Sequence, residues 1–413
     1  MNILVIHSMG YPGYWRKSVA ELEFSMSSID SENNYITHNA SLPFPDFLKD
    51  FKYDGIILWS TFLDARHFRS RYESILKDYD FIRESNAIKI ALPQDDYYCP
   101  GTLDEWMTLW NVDVVYNVIH EQTNLFFNKF IEAGGKVRKG FTGYISEDLL
   151  SKSLSLKDFS LRTIDVGYRA SNSPLNLNKL AILKSEIAGI FKEKFSTYGL
   201  KMDISVRYED TIYGDRWYDF LQDSKFVIST NSGSSLVIPD LYFREKVENF
   251  IQTNPGFTYQ EIKDRFFKEQ NEEQTYTAIS PRNIESTLLG ACQINTTLGN
   301  YSGILLPWEH FIPLKADCSN HHEVHEAMLD RGLVSRLISN SREALLSVDN
   351  LRLTNLVKEI LDTISSSKQI NSDEMFLTLQ KKYKSYEIKV GNIMWSKFWL
   401  KQKIKDMLSY FKG

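Results

Sequence analysis

A chain of 413 residues is longer than one hydrophobic core usually organises, so two domains of roughly 150–200 residues each are expected. A net charge of −5 argues against a protein that coats nucleic acid, and three scattered cysteines, Cys99, Cys292 and Cys318, exclude a disulfide framework. No run of about 18 apolar residues occurs, and the start MNILVIHSMGYPGYW lacks the marks of a signal peptide, so a soluble cytoplasmic protein is expected.

The run 2–7 reads as a buried parallel strand ending at His7, followed by a loop with Gly10, Pro12 and Gly13 and a helical pattern over 16–27. Strand-like runs follow at 35–38, 55–59, 88–92 and 112–118, separated by helical stretches at 65–79, 103–110 and 122–133. This alternation predicts a doubly wound parallel sheet with right-handed crossovers. No GxGxxG fingerprint follows the first strand, so a dinucleotide site is not expected there.

The Ser- and Lys-rich stretch within 139–161 reads as an interdomain connection. A second series follows, with strands at 162–168, 201–206 and 226–229 and helices at 180–198 and 217–223. The segment 243–274 has helical spacing and the look of an insertion. In 279–320 a Ser-Pro pair opens a short helix carrying Glu285. A glycine turn at Gly290, a short strand at Ile304, Leu305 and Leu306, and a polar loop with Glu309, His310, Lys315, Asp317 and Asn320 complete the stretch. Residues 323–366 are helical, and from Val390 the tail places Trp395, Phe398, Trp399, Ile404, Leu408 and Phe411 on one side of a helix with lysines around the rest. Such a helix suits either an anionic membrane surface or the flank of the N-terminal domain.

The segments SPRNIESTLLGACQI and GNYSGILLPWEHFIPLKADCSN resemble the donor-binding half of bacterial GT-B glycosyltransferases that build surface polysaccharides. The resemblance implies an α/β, GT-B-like fold: two doubly wound Rossmann-type domains facing a cleft, with C-terminal helices. Residues 1–150 would form the acceptor domain, 160–375 the donor domain and 376–413 a helical tail. In such enzymes a glutamate at a helix start binds the nucleotide ribose, and Glu285, with Arg282 before it, matches that position. A carboxylate accepts two hydrogen bonds from a vicinal diol, which suits the role; the helix dipole would also favour an acid there. Many retaining members carry a second glutamate eight residues earlier, where this chain has Thr277.

The stretch IDVGYRASNSPLNLNKLAILK resembles the turn that supplies an Arg and a Lys to the diphosphate, here Arg169 and Lys184, with Lys179 read as ordinary helix-surface charge. In YGDRWYDFLQDSKFVISTNSGSSLVIPD, the amides and hydroxyls of Gly233, Ser234 and Ser235 could hold phosphate or sugar oxygens, although a plain turn looks the same. His310 could touch the donor or anchor its own loop. The acceptor base would come from the N-terminal domain, where Asp95 and Asp96 follow the fourth strand and His7 ends the first. A helix-capping aspartate or a histidine buried against backbone would give the same sequence.

The run NHHEVHE puts His321 and His325 on one helix face without a further ligand, and Asn320 is expected to cap that helix with Glu323. No DxD, Walker or GxSxG signature is present, so a metal-independent enzyme without a cofactor is expected, using a nucleotide sugar as substrate. Its partners would be the nucleotide-sugar donor and a glycan or lipid-linked acceptor, with no nucleic acid. Contact with the inner face of the cytoplasmic membrane would run through 390–413. A nucleotide-sugar epimerase or hydrolase, or a catalytically silent glycan-binding subunit, are the alternatives on the same fold.

Overall fold

The computed structural model describes residues 1–170, 178–271, 275–298, 300–365 and 373–410, without the side chains of 122 and 401–410. Apolar runs with no polar alternation need cover on both faces, and the first half provides it. Strands β1 (Asn2–His7), β2 (Asn34–Asn39), β3 (Gly55–Trp59), β4 (Ile88–Leu92), β5 (Val114–Asn117) and β6 (Lys136–Lys139) form a parallel six-stranded sheet in the order β2-β1-β3-β4-β5-β6. Leu4 and Ile6 enter one core while Ile3 and Val5 enter another, the signature of a sheet buried on both sides. The edge strand β6, with the sequence KVRK, carries too little apolar pattern to be read in advance.

In the second half, strands β7 (Ile164–Arg169), β8 (Met202–Ser205) and β9 (Ser224–Ser229) are followed by a short antiparallel pair, β10 (Ser232–Ser234) and β11 (Tyr276–Ala278). Strands β12 (Cys292–Thr296) and β13 (Ile312–Leu314) then complete a parallel five-stranded sheet in the order β13-β12-β9-β7-β8. The strand expected at Ile304–Leu306 is absent. Those residues lie between β12 and β13, with Leu305 buried and Leu306 largely exposed. The segment expected as an insertion at 243–274 overlaps the helices Leu241–Thr253 and Tyr259–Phe266.

The last helices return to the first sheet. Helix Leu353–Ser365 lays Leu353, Leu356, Val357, Ile360 and Ile364 on the core that holds Ile3 and Val5. Gly55 makes this approach possible, since a Cβ there would sit 2.5 Å from Cδ1 of Ile364. Helix Asp373–Tyr410 adds Phe376 and Tyr383 to the opposite core, and the Tyr383 hydroxyl lies 3.0 Å from Nδ1 of His38. Farther along, Trp395 and Phe398 pack on Tyr11, so this part of the tail rests on the loop after β1. The expected tail positions Ile404, Leu408 and Phe411 lie outside the described side chains. Among the described residues no helix is long and apolar enough to cross a membrane.

Candidate functional site

In parallel α/β sheets the loops at the carboxyl ends of strands carry ligand-binding groups. Here the loop after β1 meets the ends of β7 and β9 and the start of helix Pro281–Leu288, enclosing a cavity of about 280 Å³. A second cavity, of about 290 Å³, opens at the amino ends of β4–β6, beside Ile88, Val114 and Lys136, on the side away from those loops. A seam beyond β4 joins the two halves: the amides of Cys99 and Gly101 donate to the carbonyls of Ile238 and Pro239 at 2.9 and 2.8 Å.

Helix Pro281–Leu288 is fixed by its amino end. Ser280 and Asn283 exchange side-chain to backbone hydrogen bonds at 3.3 and 3.1 Å, and Pro281 occupies the first turn, where its missing N–H costs nothing. One turn on, Glu285 is only 4% exposed and lines the cavity. The indole of Trp217 donates to its Oε2 at 2.7 Å, whereas Oε1 is buried without a hydrogen-bond partner among the described residues. Burial pushes this carboxyl up to about 7 against the Trp217 hydrogen bond, and the charge of nearby Glu21 adds to the rise.

Of the expected donor residues, Lys184, Arg282, Glu285 and Arg169 line this cavity. The ammonium of Lys184 has no hydrogen-bond or ion-pair partner among the described residues. Burial lowers its pKa, opposed by the charge of Asp95 from the first half. Arg282 lies 4.9 Å over the Tyr168 ring and donates to the Arg169 carbonyl, with its Nε buried and unpartnered among the described residues. Arg169 is engaged elsewhere. Its guanidinium donates to the Asp203 carboxylate at 2.7 Å and to the carbonyls of Asp203, Tyr168 and Asp210 at 2.9, 3.0 and 3.1 Å, tying β7 to β8.

Gly233, Ser234 and Ser235 do not line the cavity. Gly233 has φ +129° and pairs with Thr277, and a Cβ there would strike the Tyr276 carbonyl, so the glycine serves the β10–β11 hairpin. The Ser234 hydroxyl is occupied by both backbone groups of Leu236, and Ser235 accepts from the Lys179 amide at 3.0 Å. His310 is a loop anchor: its Nδ1 accepts from the Leu306 amide at 2.8 Å, and burial lowers its pKa. Residues 171–177 of the Arg169–Lys184 motif lie outside the described residues.

The three base candidates separate. His7 is 2% exposed, enclosed by Trp15 and Phe24, and burial lowers its pKa to about 4, which makes a sealed, weak base. Asp96 is fully buried and caps no helix. Its Oδ2 accepts from the Val118 amide at 2.7 Å, and burial raises its pKa to about 7. Asp95 is only partly buried, with Oδ1 accepting from Tyr97 at 2.9 Å, and its charge reaches Lys184. Beyond the sheet, Asn320 turns its side chain back to Pro313 and Lys315 instead of capping the next helix, and Tyr198 stacks on His325 at 3.8 Å. Among the described residues no group of three or more His, Cys, Asp or Glu is placed to hold a metal.

The first half contributes residues that no motif marked. Arg16, at the end of the loop after β1, and Lys17 and Ser18, at the start of helix Lys17–Glu23, line the cavity. The side chain of Arg16 has no hydrogen-bond or ion-pair partner among the described residues. Lys17 is committed: burial opposes its charge, but Asp215 at 2.7 Å and Asp148 at 3.0 Å hold its pKa above the usual lysine range. The signal for these residues was their place after the first strand, since three polar residues at the head of a helix have no pattern of their own.

No protein-family model matches this sequence, and no curated protein matches it either. The folded chain is similar to solved glycosyltransferases. An α-glucosyltransferase in complex with UDP-glucose and DNA containing an abasic site superposes with a TM-score of 0.50 at 10% identity, over 88% of this chain and 99% of that one. HepE of Anabaena, solved with UDP, gives 0.49 at 11% identity over 89% of this chain and 100% of its own. A glycosyltransferase from Rickettsia africae gives 0.47 at 12% identity over 88% and 98%. The likeness is one of fold: the chain has the GT-B arrangement of two doubly wound, Rossmann-type sheets facing a cleft, with C-terminal helices.

Proposed function

We propose that this chain is a metal-independent glycosyltransferase that moves a sugar from a nucleotide-sugar donor to a glycan or lipid-linked acceptor in bacterial surface polysaccharide synthesis. The observation that carries the reading is the cavity between the two sheets, where Arg16, Lys184 and Arg282 gather around the half-partnered carboxylate of Glu285. Fixed cations stabilise the charge that develops on a diphosphate leaving group without a metal. The free oxygen of Glu285 is suited to a ribose hydroxyl. The fold supports the same reading through the α-glucosyltransferase solved with UDP-glucose.

In this proposal the second sheet holds the donor and the first presents the acceptor. Asp95, whose charge reaches Lys184, is the side chain proposed to take the acceptor proton. The tail from Val390 is proposed to rest on the inner face of the cytoplasmic membrane, because Ile393, Trp399 and Leu400 are half exposed in a lysine-bearing helix.

Thermal unfolding with UDP, GDP, ADP and CMP tests the donor site. One nucleotide is expected to stabilise the protein, with the shift abolished in Glu285→Ala. No stabilisation by any nucleotide overturns the reading.

A further inference from the structure

Five aromatic rings from three separate parts of the chain meet beside the cavity. Tyr14, in the loop after β1, contacts Tyr213, which precedes helix Arg216–Asp223, with ring centroids 5.6 Å apart at 83°. Tyr14 also contacts Phe398 of the tail helix at 6.1 Å, and Tyr11 lies against Phe398 at 5.5 Å and Trp395 at 5.7 Å. The cluster adjoins the cavity through its chain neighbours: Tyr14 stands two residues before Arg16, and Tyr213 directly follows Ile212, and both of those neighbours line it.

These rings are not core. None is buried, and Tyr14 and Phe398 are 45% and 40% exposed. These contacts dock the tail on the loop after β1, yet rings that keep this much surface in water realise only part of the gain from burial and leave apolar surface open to a ligand. Its chemistry fits a sugar. An aromatic face carries the negative part of the ring quadrupole and attracts the C–H bonds on one face of a pyranose, while a tyrosine hydroxyl serves the sugar's edge.

We propose that Tyr14 and Phe398, backed by Tyr11, Tyr213 and Trp395, form the subsite that seats a pyranose ring of the acceptor glycan at the cavity mouth. This rests on the donor reading above. With the diphosphate on Lys184 and Arg282 inside the cavity, the rings lie where an acceptor must approach the transferred sugar. The tail helix then contributes to acceptor choice directly, by supplying two of the five rings.

Binding of the full-length protein to a printed glycan array, with saturating UDP, is the test. The wild type is expected to bind a defined set of pyranose glycans. Tyr14→Ala and Phe398→Ala should each weaken that binding about tenfold, whereas Tyr14→Phe, which keeps the ring, should stay within about twofold. Stabilisation by UDP is read on every variant. Loss of that stabilisation in the wild type is failure of the donor reading. Its retention with no glycan bound, or with glycan binding unchanged in both alanine variants, overturns the subsite. Binding of the wild type to phosphatidylglycerol vesicles that disappears in Tyr14→Ala, with no glycan bound, also overturns it and assigns the rings to a membrane surface.

Discussion

The indole Nε1 of Trp217 donates a 2.7 Å hydrogen bond to Oε2 of Glu285, and the other oxygen of the same carboxylate stays buried without a partner among the described residues. A buried oxygen left unsatisfied costs about 1–3 kcal/mol, which a ligand hydroxyl can recover. Nucleotide affinity is therefore expected to rise with pH through about 7, as Glu285 ionises and becomes a better acceptor. Titration calorimetry at several pH values checks this, and Glu285→Gln should flatten the profile. An equally steep profile in that variant would remove Glu285 from the explanation.

The empty protein should respond to pH in the opposite sense. Burial raises the folded pKa of Glu285 from 4.5 to about 7 and that of Asp96 from 3.8 to about 7, so the folded chain keeps protons that the unfolded chain has lost. Stability from these groups is complete below their unfolded values and is lost as pH rises through about 7. Buried histidines such as His7 act in the opposite sense over the same range, so the measurement is a difference: in denaturant unfolding of the nucleotide-free protein, the wild type should lose stability relative to Glu285→Gln between about pH 5 and about pH 8.

Lys184 and Arg169 should part company on substitution. Arg169 makes its hydrogen bonds within the fold, so Arg169→Ala should cost about 2–4 kcal/mol of stability. Lys184→Ala removes a half-buried, cavity-lining side chain whose ammonium has no hydrogen-bond or ion-pair partner among the described residues. Stability should change by less than about 1 kcal/mol, with nucleotide binding lost. Equal destabilisation of the two variants would contradict this division.

Gly55→Val should loosen the helix that closes the first sheet, because its side chain would enter the space of Ile364. A loss of about 1–3 kcal/mol is expected by thermal unfolding. Adding Ile364→Ala, which vacates that space, should make the double substitution less costly than the sum of the two.

Transfer from a nucleotide sugar should persist in excess EDTA, since the proposed charge stabilisation comes from Arg16, Lys184 and Arg282. Abolition by EDTA and rescue by Mg²⁺ or Mn²⁺ would show that these side chains do not suffice.

Much of the fold was legible because fully buried strands announce themselves: NILVIH and GIILW have no polar face. Strand β12, with the sequence CQINT, was missed for the reverse reason. Its polar side chains are buried and partly paired, with Gln293 donating to the Asn283 carbonyl at 2.8 Å and accepting from Asn283 and Asn295 at 2.7 and 2.8 Å, while Oδ1 of Asn295 and Oγ1 of Thr296 have no hydrogen-bond partner among the described residues. At the site, Arg282 and Glu285 share one helix, so a local motif located them together. Arg16 reaches the same cavity through a contact between two halves of the chain, which no local pattern encodes. Ser234 and His310 have the right chemistry for a ligand, but short-range backbone partners already occupy them.

The return of the last helices to the first sheet sets an order of assembly. Residues 1–139 supply every strand of that sheet, yet the face bearing Ile3, Val5 and Ile57 is covered by helix Leu353–Ser365. On a ribosome, the second sheet has all its strands by Leu314, before the first has its cover. The half that begins synthesis is thus the half finished last, and a chain released early would carry an open apolar sheet for chaperones and proteases to find.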